Sequence, residues 1–247
     1  MDQGYFTNDD YFKYLLEHCT DESAAAQGRV GGREMILDHL NRFSVPKGAD
    51  LLEIGCGTGR VMEVLRSHYG VDVTGGDICE KAIGYIREQR PHFAGKAFVL
   101  PTGDWSCFAD SSFGHLLFWG SFELLEPRTA LAEAARVLRV GGRAMLSSVK
   151  NIAFREDDAS AAAAAKAYRE KRIPLYMTDV AAFEALLDFM GFVIEERAVF
   201  QFKDDAPQNR YVIDQGGDGR FAEAIYTIRK VRDVPAGKTV GRYLYSK

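Results

Sequence analysis

The sequence predicts a doubly wound α/β domain on a seven-stranded, mostly parallel sheet, with N-terminal helices and a helical lid after strand five. Two observations carry that prediction. From Asp50 to about residue 150, short apolar runs alternate with helical stretches, the rhythm of parallel strands joined by crossover helices. The first of those runs also passes directly into three glycines at alternate positions, and a helix begins there.

Taken in order, the first 45 residues read as helices, because Tyr11, Tyr14, Leu15 and His18, then Met35, Ile36, His39 and Leu40, recur at three- and four-residue spacing. Pro46-Lys47-Gly48 ends that cap. The core, residues 47–150, places strands at 51–54, 71–74, 97–100, 115–119 and 143–149. Helices at 61–68, 79–89 and 128–138 separate them. An acidic cluster, Glu156-Asp157-Asp158, opens an alanine-rich helical segment inside a lid spanning 151–178, since early acids and alanine both favour a helix start. A closing unit, 179–247, holds a helix at 179–190, stopped by Gly191, and two half-buried antiparallel strands at 192–202 and 221–231. One domain over 1–247 accounts for all of it.

Composition removes several function classes. The 247 residues are 47% hydrophobic and 27% charged, with a net charge of −4 and no massed basic stripe, so no nucleic-acid partner is expected. Cys19, Cys56, Cys79 and Cys107 form no C-x-x-C pair and no metal-ligand spacing. The N-terminus lacks the order of a signal peptide, and no apolar run nears the ~20 residues that span a bilayer, so a cytoplasmic protein without a membrane partner is expected. Oligomeric state is not legible.

The glycine turn reads Leu51-Leu52-Glu53-Ile54-Gly55-Cys56-Gly57-Thr58-Gly59-Arg60. Glycines there allow a ligand to approach the backbone, at the strand end where doubly wound sheets bind ligands. A dinucleotide fingerprint requires glycine at position 60, which is Arg60, and a nicotinamide dehydrogenase is therefore disfavoured. Asp77 closes Val73-Thr74-Gly75-Gly76-Asp77-Ile78, and Asp104-Trp105 closes Leu100-Pro101-Thr102-Gly103-Asp104-Trp105. Further on stand Phe108 to Phe118 with a serine-phenylalanine approach to strand four, and Ala135 to Arg143 with a Gly-Gly turn into strand five.

These motifs, in this order, resemble the class I S-adenosylmethionine-dependent methyltransferases, specifically the small-molecule type 11 group. The resemblance implies a Rossmann-like methyltransferase fold, S-adenosylmethionine as cofactor and S-adenosylhomocysteine as product. It implies that Glu53 organises the site and that Gly55, Cys56, Gly57 and Gly59 border the methionine and ribose. Asp77 would accept from the ribose hydroxyls, or cap the following helix, or both, with Ile78 on the adenine. Gly103, Asp104 and Trp105 would meet the adenine, unless Asp104 belongs to a solvated turn. Trp119 and Gly120 would face the methionine, with Ser121 beside them.

The implied reaction is in-line, metal-independent displacement of the methyl by an oxygen or nitrogen of a small molecule. Candidate bases are His18, which is otherwise one polar residue of an amphipathic helix, and Glu123, otherwise a solvated helix-start acid. His115 lies at a strand start, away from the ligand edge. Leu124-Leu125 stand where the family often places histidines, so its familiar base is missing. Tyr11, Tyr14, Tyr168, Arg172 and Tyr176 are candidate substrate contacts, suited to an aromatic or anionic molecule. Two alternatives stay open: a peptide or protein substrate laid along the loop at 203–220, and a non-catalytic S-adenosylmethionine-binding module.

Overall fold

A computed structural model describes residues 5–7, 9–19, 32–152, 175–202, 205–206, 208–214 and 221–234. Most of the lid segment, with Tyr168 and Arg172, lies outside them, as does half of the loop at 203–220.

Among the described residues two N-terminal helices, α1 (Asp9–His18) and α2 (Gly32–Phe43), precede β1 (Asp50–Ile54). Next come α3 (Arg60–Val64), β2 (Asp72–Asp77), α4 (Glu80–Gln89), β3 (Ala97–Val99), β4 (Phe113–Phe118), α5 (Pro127–Val137) and β5 (Leu138–Asn151). The chain closes through β6 (Met177–Thr178), α6 (Val180–Phe189), β7 (Phe192–Phe200), β8 (Val212–Ile213) and β9 (Glu223–Lys230).

The nine strands of the described residues join one sheet in the order β3-β2-β1-β4-β5-β9-β7-β8, with β6 paired to β5. Strands β1 to β5 run parallel, and β9 is antiparallel to both β5 and β7. Seven of these are the expected strands. The two extra ones, β6 and β8, have two residues each, too short for any periodicity to announce them. The chain moves outward from β1 through β2 to β3, then returns to the other side of β1 for β4. That reversal opens a crevice at the carboxyl ends of β1 and β4.

Burial on both faces explains the near-continuous apolar strands. Leu52, Leu116 and Phe118 face α5 and α6, whereas Leu51 and Leu117 face α2, α3 and α4. All five are fully buried, each contributing roughly 1.5–3 kcal/mol of transfer free energy. Strand β2 runs further than its apolar pattern, through Gly75 and Gly76 to Asp77. Met62 and Leu100 occupy the space that side chains would have taken. Strand β5 likewise starts earlier, pairing Leu138 with Phe113 before the Gly141-Gly142 turn shifts its register. The predicted helix at 61–68 is α-helical only to Val64 and continues as a π-turn, Leu65–Tyr69.

Helix ends are satisfied by named groups. Glu126 accepts from the Arg128 and Thr129 amides ahead of Pro127, and Asp179 accepts from Ala182. At the far end of α5, the Lys230 ammonium is buried and donates to the carbonyls of Ala135 (2.6 Å) and Leu138 (2.8 Å), where the helix dipole is negative. No helix among the described residues is long and apolar enough to cross a membrane. Lys230→Met should lower the unfolding free energy by about 1–3 kcal/mol, because both carbonyls lose a buried donor. Urea denaturation checks this, and an unchanged midpoint would show that the capping contributes nothing.

Candidate active site

A cavity of about 420 Å³ opens at the strand-order reversal. Its floor is the β1 end and the turn after it, from Glu53 to Thr58. Gly76, Asp77 and Ile78 from β2 form one side and Trp119, Gly120 and Ser121 from β4 the other. Helix α1 closes the top, setting Tyr11, Tyr14 and Leu15 over the glycine turn.

Asp77 ties these parts together. Its buried carboxylate accepts from the Gly57 amide and, through the other oxygen, from the Cys79 amide, both at 2.8 Å. It therefore holds the glycine turn and, at once, the residue that leads into α4; that helix has no side-chain cap, so the capping alternative for Asp77 is not what the structure shows. Burial pushes its acidity down, and the amides of Cys79, Gly57 and Ile78 work against that. Gly57 has φ +52, and a side chain added there would point at Leu15 across the cavity mouth. Gly55 (φ +77) packs directly against Ser121, whose hydroxyl donates to Ile54 at 2.6 Å.

Glu53 is buried, and its Oε2 has no hydrogen-bond partner. Burial raises its carboxyl well above the ordinary value of 4.5, with Arg60 opposing and Asp77 reinforcing. Glu123 lines the opposite end. Its main-chain oxygen accepts from the Tyr176 amide at 2.8 Å, and its Oε2 stands 3.4 Å from the Lys150 ammonium. Burial raises this carboxyl too, while Lys150 lowers it.

Strand β5 supports that end of the site through a bulge. Its pairing with β9 slips between Leu146 and Val149, and Ser148 adopts φ +61, a conformation that non-glycine residues seldom hold. Within the bulge, the Ser147 hydroxyl accepts from the Gly120 amide at 2.6 Å. The aromatic wall is mutually packed: Tyr5, Phe6 and Tyr11 stand 5.0–5.6 Å apart between ring centres. Trp119 rests against the buried His39 ring at 5.8 Å.

Of the residues expected from the sequence, Glu53, Gly55, Cys56, Gly57, Asp77, Ile78, Trp105, Trp119, Gly120, Glu123, Tyr11 and Tyr14 line one cavity. Others stand elsewhere. Gly59 starts α3 and abuts Ile86. Gly103 abuts Thr129, and Asp104 is exposed, its carboxylate accepting from the Ser106 amide at 3.1 Å. The solvated-turn alternative therefore describes Asp104 here. Trp105, in the cavity lining, is also packed into the core beside Phe118. Tyr176 serves through its backbone. The side chain of His18 lies outside the described residues. His115 faces Phe43, far down β4 from the cavity. Sequence reasoning missed Arg60 and Thr102 in the lining, and Ser147 and Lys150 behind it. Arg60 had a signal, since it directly follows the glycine turn.

Residues 52–146 match the family described as a methyltransferase domain. Over that stretch the chain is similar to the class I S-adenosylmethionine-dependent methyltransferases of the type 11 group, and its fold is theirs. It is 31% identical over 141 residues to the O-methyltransferase cnsE of Penicillium expansum, covering 52% of this chain and 48% of the relative. The chain spans about half the length of the curated relatives it matches. Among solved structures, a TehB-like S-adenosylmethionine-dependent methyltransferase from Corynebacterium glutamicum aligns with TM-score 0.58 at 20% identity, over 90% of this chain and 100% of that one. The geranyl diphosphate C-methyltransferase of Streptomyces coelicolor A3(2), in complex with Mg2+, geranyl diphosphate and S-adenosyl-L-homocysteine, aligns with TM-score 0.62 at 15% identity. That match covers 93% of this chain and 90% of that one.

Because folded Glu53 holds a proton that the unfolded chain releases, wild-type stability should fall as pH rises from 4.5 through the raised value. Glu53→Gln lacks that titration, so its unfolding free energy relative to wild type should grow with pH across the same window. Parallel pH profiles from urea denaturation would contradict the burial of this acid.

Proposed function

We propose that the chain transfers the methyl group of S-adenosylmethionine to an oxygen or nitrogen of a small molecule. The observation that carries the reading is the meeting of the Asp77-held glycine turn with a second carboxylate, Glu123, inside one cavity under an aromatic cap. The residues present suit the cofactor. Three acids, Glu53, Asp77 and Glu123, line the cavity beside the single lining cation Arg60 among the described residues, and a cationic ligand would draw their carboxyls into the anionic form. The unpartnered Oε2 of Glu53 is a ready acceptor for its amino group. Asp77 retains lone pairs for ribose hydroxyls, and Ile78 with Leu100 and Pro101 offers an apolar slot for the adenine.

When bound, S-adenosylmethionine supplies an activated methyl whose former sulfur bond leaves its electron pair on sulfur. The chain's own work is alignment, exclusion of water and proton removal. Tyr5, Phe6, Tyr11 and Tyr14 close the mouth and shape an acceptor end with Leu124 and Leu125. Glu123 takes the proton of an acceptor hydroxyl as that oxygen gains its new bond to carbon, and its burial suits it to that role. An apolar wall with an acid at one end fits an uncharged aromatic or aliphatic alcohol better than an anion. The O-methyltransferase relative points the same way.

Calorimetric titration with S-adenosylmethionine, with NADH as control, tests the reading. Binding of the first alone is expected. Asp77→Ala should weaken that binding by about 1–3 kcal/mol, through lost charge-assisted acceptance and a released glycine turn. An unaltered dissociation constant would confine Asp77 to a structural role.

A further inference from the structure

Behind Glu123 lies a chain of charges that the cofactor site does not use. Lys150 projects from β5 just beyond the bulge at Ser147 and Ser148, and pairs with Glu123 on one side and Glu223 on the other. Residues 150 and 223 are direct cross-strand partners on β5 and β9, so Glu223 is placed by sheet register to hold the ammonium. Glu123 itself is fixed from the main chain, where its carbonyl accepts from the Tyr176 amide next to β6. Lys150 is also the register partner of Met177 in β6, so two neighbouring strands locate the group from both edges.

We propose that Lys150, anchored by Glu223, is the positioning residue that aims the Glu123 carboxylate into the acceptor end of the cavity and keeps it an anion, ready to take a proton. This rests on the methyl-transfer reading above. Among the described residues the Lys150 ammonium, 3.4 Å from Oε2, is the cation that faces this buried carboxylate, so its charge depends on that contact. Glu223 competes for that ammonium through its own closer contact, and moderates the hold on Glu123. A carboxylate held too firmly would be a poor base, and one without a cation would stay protonated in this buried place. Among the described residues, the charged or titratable groups packed around it are Lys150, Glu223 and Tyr176. Across the cavity stand Glu53, Asp77, Arg60, Tyr11 and Tyr14.

The two partners make opposite predictions. Infrared titration of the full chain reads the protonated carboxyl band of Glu123, assigned by its loss in Glu123→Gln. Lys150→Met should move the titration midpoint up by at least about one pH unit, the low end of the effect of a nearby opposite charge. Glu223→Gln should move it down, since the ammonium is freed for Glu123 and a like charge is removed. Lys150→Arg should restore a midpoint near that of wild type. Midpoints that stay put, or move the same way in Lys150→Met and Glu223→Gln, overturn the proposal. Calorimetry with S-adenosylmethionine on the same samples separates the two levels. Absence of binding to the wild type overturns the reading beneath the proposal, whereas binding with unshifted midpoints overturns the role of Lys150 alone.

Discussion

Both oxygens of the Asp77 carboxylate are engaged by backbone amides, Gly57 from the turn after β1 and Cys79 from the start of α4. Three stretches of chain meet at this one side chain, and the cavity exists because they do. The turn carries three glycines in the left-handed region, and beyond the main-chain bonds made by the Gly55, Cys56 and Gly59 amides it needs a hold on Gly57. A buried acid at the end of β2, within reach because β1 and β2 are parallel neighbours, provides that hold. Its other oxygen holds the amide of Cys79, from which α4 starts, so the helix against which α1 packs through Leu15 and Cys79 is positioned by the residue that shapes the floor below it.

A second constraint comes from β5. A regular strand would present alternate residues to the two faces of the sheet. The bulge at Ser147 and Ser148 interrupts that alternation. It turns Ser147 towards the Gly120 amide at the β4 end, and Lys150 lies beside Glu123 immediately afterwards. Irregular backbone at this point is consistent with the clustering of bulges and uncommon dihedrals at sites of function. The sheet is thus the scaffold for the cavity and also supplies the polar groups behind its wall.

The electrostatic character follows from burial. Glu53, Asp77 and Glu123 all titrate above the ordinary carboxylate range, each mainly because it is removed from water. Neighbouring charges then distinguish them. Asp77 is served by amides, Glu123 by Lys150, and Glu53 sits in reach of Arg60. Three acids in one cavity can therefore serve as ribose acceptor, proton acceptor and partner of an amino group without being chemically equivalent.

Most of the architecture was legible because it depends on local patterns. Apolar runs buried on both faces identified β1 to β5, helical spacing identified α1, α2, α4, α5 and α6, and G-x-G-x-G after a strand identified the floor of the cavity. The two-residue strands β6 and β8 carry no such pattern. Asp104 and Trp105 show the limit at the site: they are adjacent in sequence, but the turn packs Trp105 into the cavity wall and leaves Asp104 exposed. Direction at a turn is decided by what packs beneath it. Likewise, nothing in the sequence joins Glu123, Lys150 and Glu223, because their meeting depends on strand register and on one bulge in β5. The sequence by itself determined the class of fold, the glycine turn and the acid that follows β2, since each is a short-range pattern with a direct physical cause. Only the tertiary structure decided which acids share the cavity and what charge stands behind each, because those distances are set by the pairing of segments far apart in the chain.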